Sequence, residues 1–374
     1  NILLFSIVLV LSIILVACGN NDENAAETEN DEGQSSETFT FRVTSALPPT
    51  HGLWETYYEP LFKQIEEDTD GRVQFEIYTS EELVEATKEL EALQNGTVDI
   101  AAPLLPIYDP QRYPLSEITM LPLTHSSPEI GSKAFRKLVE SDVELKDGKT
   151  FQELEYGEYG LKTFPAPISQ EYSVSTTGQE FNSVDDLRKV QLRAPSRVHE
   201  LYAKKVGINT VTMPTFDLYE AMSRGSVDGS FLFISDWTSI GIEDLMKYTV
   251  NMSLGHFSSL LAMTEETWNS IPKDIQDTML KAMEDNFDNG WQVWNERSEE
   301  IINNAKEKGA VFTNLEDLNP EVQEALTTGM EETWFEFIDL LEEQGEPGKE
   351  IAILWRDIIL EEGGSVPDAI MELE

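Results

Sequence analysis

The sequence predicts an α/β protein of two similarly wired lobes, each a β-sheet flanked by helices, with one long helix reaching across both. Three observations lead there. Strand and helix patterns alternate from Phe39 onward in a β-α-β order. The stretch EALQNGTVDIAAPLL is echoed downstream by EAMSRGSVDGSFLF, with the order helix, glycine, small residue, Val-Asp and apolar strand kept. Chance likeness of a Gly-x-Val-Asp tetrad competes with that reading. From Pro272 to Gly309 apolar residues recur at helical spacing, which predicts a rod on the order of 50 Å, longer than one lobe would hold.

Composition supports real cores. The 374 residues are 40% hydrophobic, with seven Trp, eleven Tyr and seventeen Phe, enough for about two domains. A formal net charge of −44 argues against nucleic-acid binding, because a polyanion would be repelled. Such acidity also suits solubility at high salt.

Residues 2–17 are uninterrupted apolar or small side chains, shorter than a membrane span of about 20 residues, and read as the core of a secretory signal over 1–17. No basic stretch precedes them, so the sequence is expected to begin a few residues into that leader. The sole cysteine, Cys18, follows Leu15-Val16-Ala17 and precedes Gly19. That arrangement resembles the lipobox of bacterial lipoproteins, which implies lipidation at Cys18. Residues 18–38 then lack large apolar side chains and are rich in acids, the composition of a disordered tether.

Ordered structure is expected from Phe39. FTFRVTSAL alternates as a strand, and a helix over 53–67 places Leu53, Tyr57, Leu61 and Ile65 on one face. VQFEIY is a second strand. Ser80 is expected to cap a helix through Leu83, Ala86, Leu90 and Leu93, ended by Asn95-Gly96 before the buried strand VDIAAPLL. TFPAPISQEYSVSTT, stiffened by Pro165 and Pro167, is the expected crossing between lobes. Ile275, Met279, Met283, Phe287, Trp291, Trp294 and Ile301 mark the long helix. Two amphipathic helices close the chain, one with Trp334, Phe337, Ile338 and Leu341, the other with Ile351, Leu354, Trp355 and Ile358.

Function is sought first in residues 182–233. Between Arg188 and Lys205 stand six bases (Arg188, Lys189, Arg193, Arg197, Lys204, Lys205) and one acid, Glu200. Two readings stand: an anion site, or solvated bases balancing an acidic surface. Alternation through residues 190–193 predicts a short strand that buries Val190 and Leu192 and carries Arg193 to its carboxyl end, where ligands of open α/β sheets bind. A guanidinium there could grip a carboxylate with two hydrogen bonds. Phe231 and Phe233 share a strand face and Trp237 follows, so an aromatic wall beside the arginine and ordinary core packing both remain open. His51, after Pro48-Pro49 at the end of the first strand, faces either a cleft or solvent.

Other chemistry finds little support. The four histidines are scattered, His-Glu-x-x-His and cysteine clusters are missing, and neither a built-in zinc site nor a cofactor is expected. Asp68-Thr69-Asp70-Gly71 lacks the further acids of a calcium loop and reads as a turn. The Gly-x-Ser-x-Gly elbow and the phosphate loop are also missing. A secreted hydrolase is an alternative for which none of the 70 acids singles out a catalytic pair.

Several segments together resemble the solute-binding proteins of TRAP (tripartite ATP-independent periplasmic) transporters. They are PPTHG, DTDGRVQFEIY, ALQNGTVDIA, DLRKVQLRAPS, VGINTVTMPTFDLYEAMSRGSVDG and WNSIPKDIQ, spread over about Phe39 to Asn304. The resemblance implies a non-enzymatic receptor with a two-lobed, periplasmic-binding-protein-like fold that closes over a small organic anion and docks on a membrane permease. It would stand outside the cytoplasm, lipid-anchored to the outer face of the cell membrane, in the periplasm if the cell is Gram-negative. A ligand-sensing partner of a signalling receptor is the further alternative. The implied lobes are 39–168 with 258–297, and 169–257 with 298–374.

The family's ligand-gripping arginine falls on Arg193. A second arginine common in the family falls near Tyr172, and an asparagine usual after the Val-Asp-Gly turn falls near Leu232, beside Phe231. These departures lean away from a standard C4-dicarboxylate, toward a monocarboxylate or a more apolar or zwitterionic solute. Thr215 and Phe216 match the place of an aromatic near the ligand. Helices after about Glu331 lie outside the resemblance and are expected to cap the second lobe.

Overall fold

A computed structural model describes residues 37–374; the expected leader, Cys18 and all of the tether but Glu37 and Thr38 lie outside the described residues. The first sheet takes strands β1 (Phe39–Thr44), β2 (Val73–Tyr78), β3 (Ile100–Leu104) and β4 (Leu161–Pro165). The second takes β5 (Ser173–Thr176), β6 (Gln191–Ala194), β7 (Asn209–Thr212), β8 (Gly229–Leu232) and β9 (Tyr248–Asn251). Then β10 (Leu260–Thr264) returns to the first sheet and β11 (Val311–Asn314) to the second. The orders are β2-β1-β3-β10-β4 and β11-β9-β5-β8-β6-β7. In the first, β1 lies parallel to β2 and β3, whereas β10 is antiparallel to β3 and β4.

Local chemistry explains the elements. Every residue of β3 is buried, as expected of a central strand covered on both faces. Leu53, Tyr57, Leu61 and Ile65 are likewise all buried, though their helix opens with a π turn at Trp54–Tyr58 before α1 (Glu59–Asp68). Pro60 accounts for the wide turn: its ring would strike the Thr56 carbonyl and it has no N–H to give to it.

The expected cap at Ser80 does not form. Ser80 and Glu81 have left-handed backbones, and their N–H groups bond to Leu47 and Ser45 across the loop after β1. Those bonds leave only a 3₁₀ turn, Ala86–Lys88, and the short α2 (Glu89–Gln94). The two echoed units do fold alike. Gly96 (φ +71°) and Gly225 (φ +67°) each end a helix in the conformation glycine takes without steric cost, and each chain then enters a sheet, at β3 and β8.

Two chain segments, 166–172 and 252–259, carry the backbone between sheets and are bonded to each other. Tyr172 N–H donates to Gly255 O and Leu254 N–H to Tyr172 O; further along, Ser169 N–H donates to Phe257 O. Gly255 (φ +75°) is required here, because a Cβ would lie 2.3 Å from the Met120 carbonyl carbon. Helix α3 (Pro128–Val139) flanks the first sheet and α4 (Arg197–Val206) the second; after α5 (Leu218–Ser223) comes the long helix α6 (Lys273–Glu307). Its 35 residues, about 52 Å at 1.5 Å per residue, run from the first-sheet strand β10 to the second-sheet strand β11. Trp291 leaves the buried stripe and bonds to Asp288.

The closing helices correct one expectation. Helix α7 (Pro320–Glu343) packs on α4, as a cap of the second sheet would, but α8 (Gly348–Glu361) returns to α3 beside the first. Trp334 Nε1–H donates to Pro122 O at 2.8 Å, and Ser365 bonds to Thr124 and His125. The C-terminal apolar stripes are therefore covered by both halves.

Candidate functional site

Strand β6 is four residues long and lies between β7 and β8, both parallel to it. The turn after it is fixed by Ser196, whose hydroxyl accepts the His199 N–H and begins α4. The strand places Arg193 next to its carboxyl end, as the alternation predicts, but both strand faces are covered. Val190, Leu192 and Arg193 are all buried, and Arg193 has no exposed surface.

Five of the six bases of the island are paired with acids, four of them at the surface and Arg197 with the buried Glu117. Arg188 meets Asp185, Lys189 meets Asp186, Arg197 meets Glu117, and Lys204 and Lys205 meet Glu336. Arg193 differs. Among the described residues no carboxylate lies within ion-pair distance, and all three of its bonds go to neutral oxygens. Nε–H donates to Met213 O at 3.0 Å, Nη2 to Thr215 Oγ1 at 2.8 Å and Nη1 to Phe231 O at 3.5 Å. A guanidinium has five N–H groups, so one remains without a protein acceptor on each Nη.

Thr215, which accepts from Arg193, lines a cavity of about 190 Å³ between the two sheets, and Arg193 itself is not on its lining. Leu47, Pro48, His51, Leu105 and Tyr108 line it from the first-sheet side. Tyr172, Thr215, Phe216, Phe233, Asp236, Ser239 and Ile240 line it from the other, with Phe257 from the return crossing. Arg193 stands just behind this wall. The Tyr172 hydroxyl, held far above its usual range by burial, feels both Arg193 and Asp236. The Tyr108 and Thr215 hydroxyls, both on the cavity lining, meet at 3.5 Å.

Of the residues singled out in the sequence, His51, Tyr172, Thr215, Phe216 and Phe233 come together on the wall. Phe231 and Leu232 do not. The Phe231 ring packs on His199 and Tyr202, and only its carbonyl turns to Arg193. Leu232 is buried in the core with its carbonyl accepting from the Ser173 hydroxyl. Trp237 stacks on Phe312 in the core instead of joining the wall.

Asp236, Tyr108, Ser239 and Phe257 are wall residues that the sequence did not single out. Asp236 follows the Phe231–Phe233 run, but one acid among 70 carries no local mark. It is 4% exposed, accepts from the Ser239 hydroxyl and lies 3.4 Å from His51 Nε2. His51 Nδ1 accepts the Leu53 N–H, which puts the imidazole proton on Nε2, toward Asp236. Burial holds the His51 pKa below its usual value against the opposing pull of Asp236.

A family model described as bacterial extracellular solute-binding protein, family 7, matches residues 44–339. The match passes the expected end at Asn304 and takes in most of α7. The C4-dicarboxylate-binding periplasmic protein DctP of Rhodobacter capsulatus is 24% identical over 265 residues, 70% of this chain and 75% of that one. A marine metagenome TRAP solute-binding protein specific for aromatic acid ligands, solved with metahydroxyphenylacetate, superposes with a TM-score of 0.75 at 19% identity. That likeness covers 87% of this chain and 99% of that one. A TRAP solute-binding protein from Rhodoferax ferrireducens, solved with copurified benzoate, gives 0.73 at 17% identity, covering 87% and 98%.

Proposed function

This chain belongs to bacterial extracellular solute-binding protein family 7, and from that membership we propose that it is a TRAP receptor taking a small organic acid between its two halves. The observation that carries the ligand reading is Arg193: a buried cation that, among the described residues, has no carboxylate partner and leaves two N–H groups unmet, bonded to a residue of the cavity wall. An isolated buried charge is costly. A ligand carboxylate reaching the two Nη groups past Thr215 and Tyr172 would neutralise it with charge-assisted bonds in a site of low dielectric.

In this reading the lobes are 39–168 with 258–297 and 169–257 with 298–374. Sheet membership changes near those limits. The bonded crossings 166–172 and 252–259 serve as the hinge, and ligand contacts with both halves shift the open and closed populations toward closure. The permease reads the closed form. Lipidation at Cys18 would keep the receptor at the outer face of the membrane, a reading supported by the order Leu15-Val16-Ala17-Cys18-Gly19.

A thermal-shift screen of small organic acids, followed by calorimetry on each hit, tests the assignment. Stabilising acids are expected to lose binding to Arg193→Ala while its circular dichroism matches wild type. Unchanged affinity in that variant would remove Arg193 from the site.

A further inference from the structure

The wall of the same cavity carries an acid with no fixed cation paired to it among the described residues. Asp236 is buried on the wall, and among the described residues its carboxylate has only the Ser239 hydroxyl as a hydrogen-bond donor and His51 within ion-pair distance. His51 reaches it with an Nε2–H and is disfavoured as a cation by burial. The nearby Arg297 is paired with Glu55. Asp236 Oδ2 receives no hydrogen bond from a described residue. Thr215, which accepts from Arg193, and Asp236 both line this cavity, so the two groups stand beside one space.

Resting on the receptor reading above, we propose that the preferred solute is a zwitterion: a carboxylate for Arg193 and, across a short apolar body, a cationic nitrogen for Asp236. A dianion would leave Asp236 facing like charge, and a plain carboxylate would leave it without a counter-charge. The apolar body and the cation both suit the aromatic wall of Tyr108, Tyr172, Phe216, Phe233 and Phe257, whose faces attract ammonium groups.

An adjoining depression bears on the same chemistry. Tyr108 and Phe216 are shared with an outer depression lined by Glu81, Glu85, Glu200 and Asp217. Arg197, which also lines it, is engaged with Glu117. These acids disfavour a dianion beside the cavity more than a solute of zero net charge.

Calorimetry with matched probes, on the wild-type receptor first and then on variants, tests the proposal. One series is cyclohexanecarboxylate, 3-hydroxycyclohexanecarboxylate and nipecotate; another is cyclopentanecarboxylate and L-proline; succinate represents dianions. The nitrogen-bearing member of each series should bind roughly tenfold or more tighter than its ring analogue. In Asp236→Asn that ratio should collapse toward one. Plain, hydroxylated or dicarboxylate probes binding as tightly as their nitrogen analogues, and depending on Arg193, would overturn the zwitterion and leave the receptor standing. A ratio that persists in Asp236→Asn would overturn the role of Asp236. Binding of no probe in any series would overturn both.

Discussion

Glu117, with no exposed surface, receives both the backbone N–H of Arg197, at 2.8 Å, and its guanidinium, and so fastens the turn Ser116–Met120 to the start of α4. One end of the pair belongs to the first-sheet half and the other to the second.

Breaking that pair leaves the other partner half-solvated and a backbone N–H unmet. Arg197 keeps 22% of its side-chain surface, so it recovers some hydration. Glu117→Ala is expected to cost about 3 kcal/mol, near the low end for one-sided loss of a buried pair. Urea unfolding with a shifted midpoint and unchanged slope is the readout.

Thr215 orients Arg193 through its hydroxyl at 2.8 Å. Thr215→Val keeps the shape and removes the acceptor, which should weaken binding of any stabilising acid by about tenfold. Arg193→Lys keeps the charge without the planar fork and should lose on the order of 100-fold. Calorimetry that shows lysine equal to arginine would mean the site needs only a positive charge.

His199 lies buried between Tyr172 and Phe231. Burial first, and the Arg193 guanidinium second, push its pKa down to about 3. In the unfolded chain the imidazole takes its proton near pH 6.5, and in the folded one only near 3. The unfolded state therefore binds the extra proton between those values, and this residue's share of stability falls as pH drops from 6.5 toward 3. Relative to His199→Gln, wild type should lose about 1.4 kcal/mol per pH unit between pH 6 and 4. Parallel pH profiles for the two proteins would refute the assignment.

Trp355 is fully buried on α8, a helix that packs on both α7 and α3. Trp355→Ala should destabilise by about 3–5 kcal/mol through cavity formation. If α8 were a loose appendage, the loss measured by denaturant would be near zero.

Much of the framework was legible in the sequence because its causes are local. Period-two and helical spacing located β1 to β3 and the long α6, and Gly96 and Gly225 marked equivalent turns in two separate sheets. The LRAPS segment picked out Arg193. The Ser80 cap misled because its rival was not local: the backbones of Leu47 and Ser45, over thirty residues away, take the N–H groups that a helix there would use.

What the sequence determined by itself, then, is the α/β wiring, the rod between the halves and the arginine at the end of β6, all set by residues near in the chain. Only the tertiary structure decided which bases are neutralised. Glu117 is 80 residues from Arg197 and Glu336 more than 130 from Lys205, so pairing is settled when helices meet, not by composition. The same holds for Asp236. Its meeting with His51 joins residues 185 positions apart, so its place on the cavity wall is settled by packing and not by any local mark.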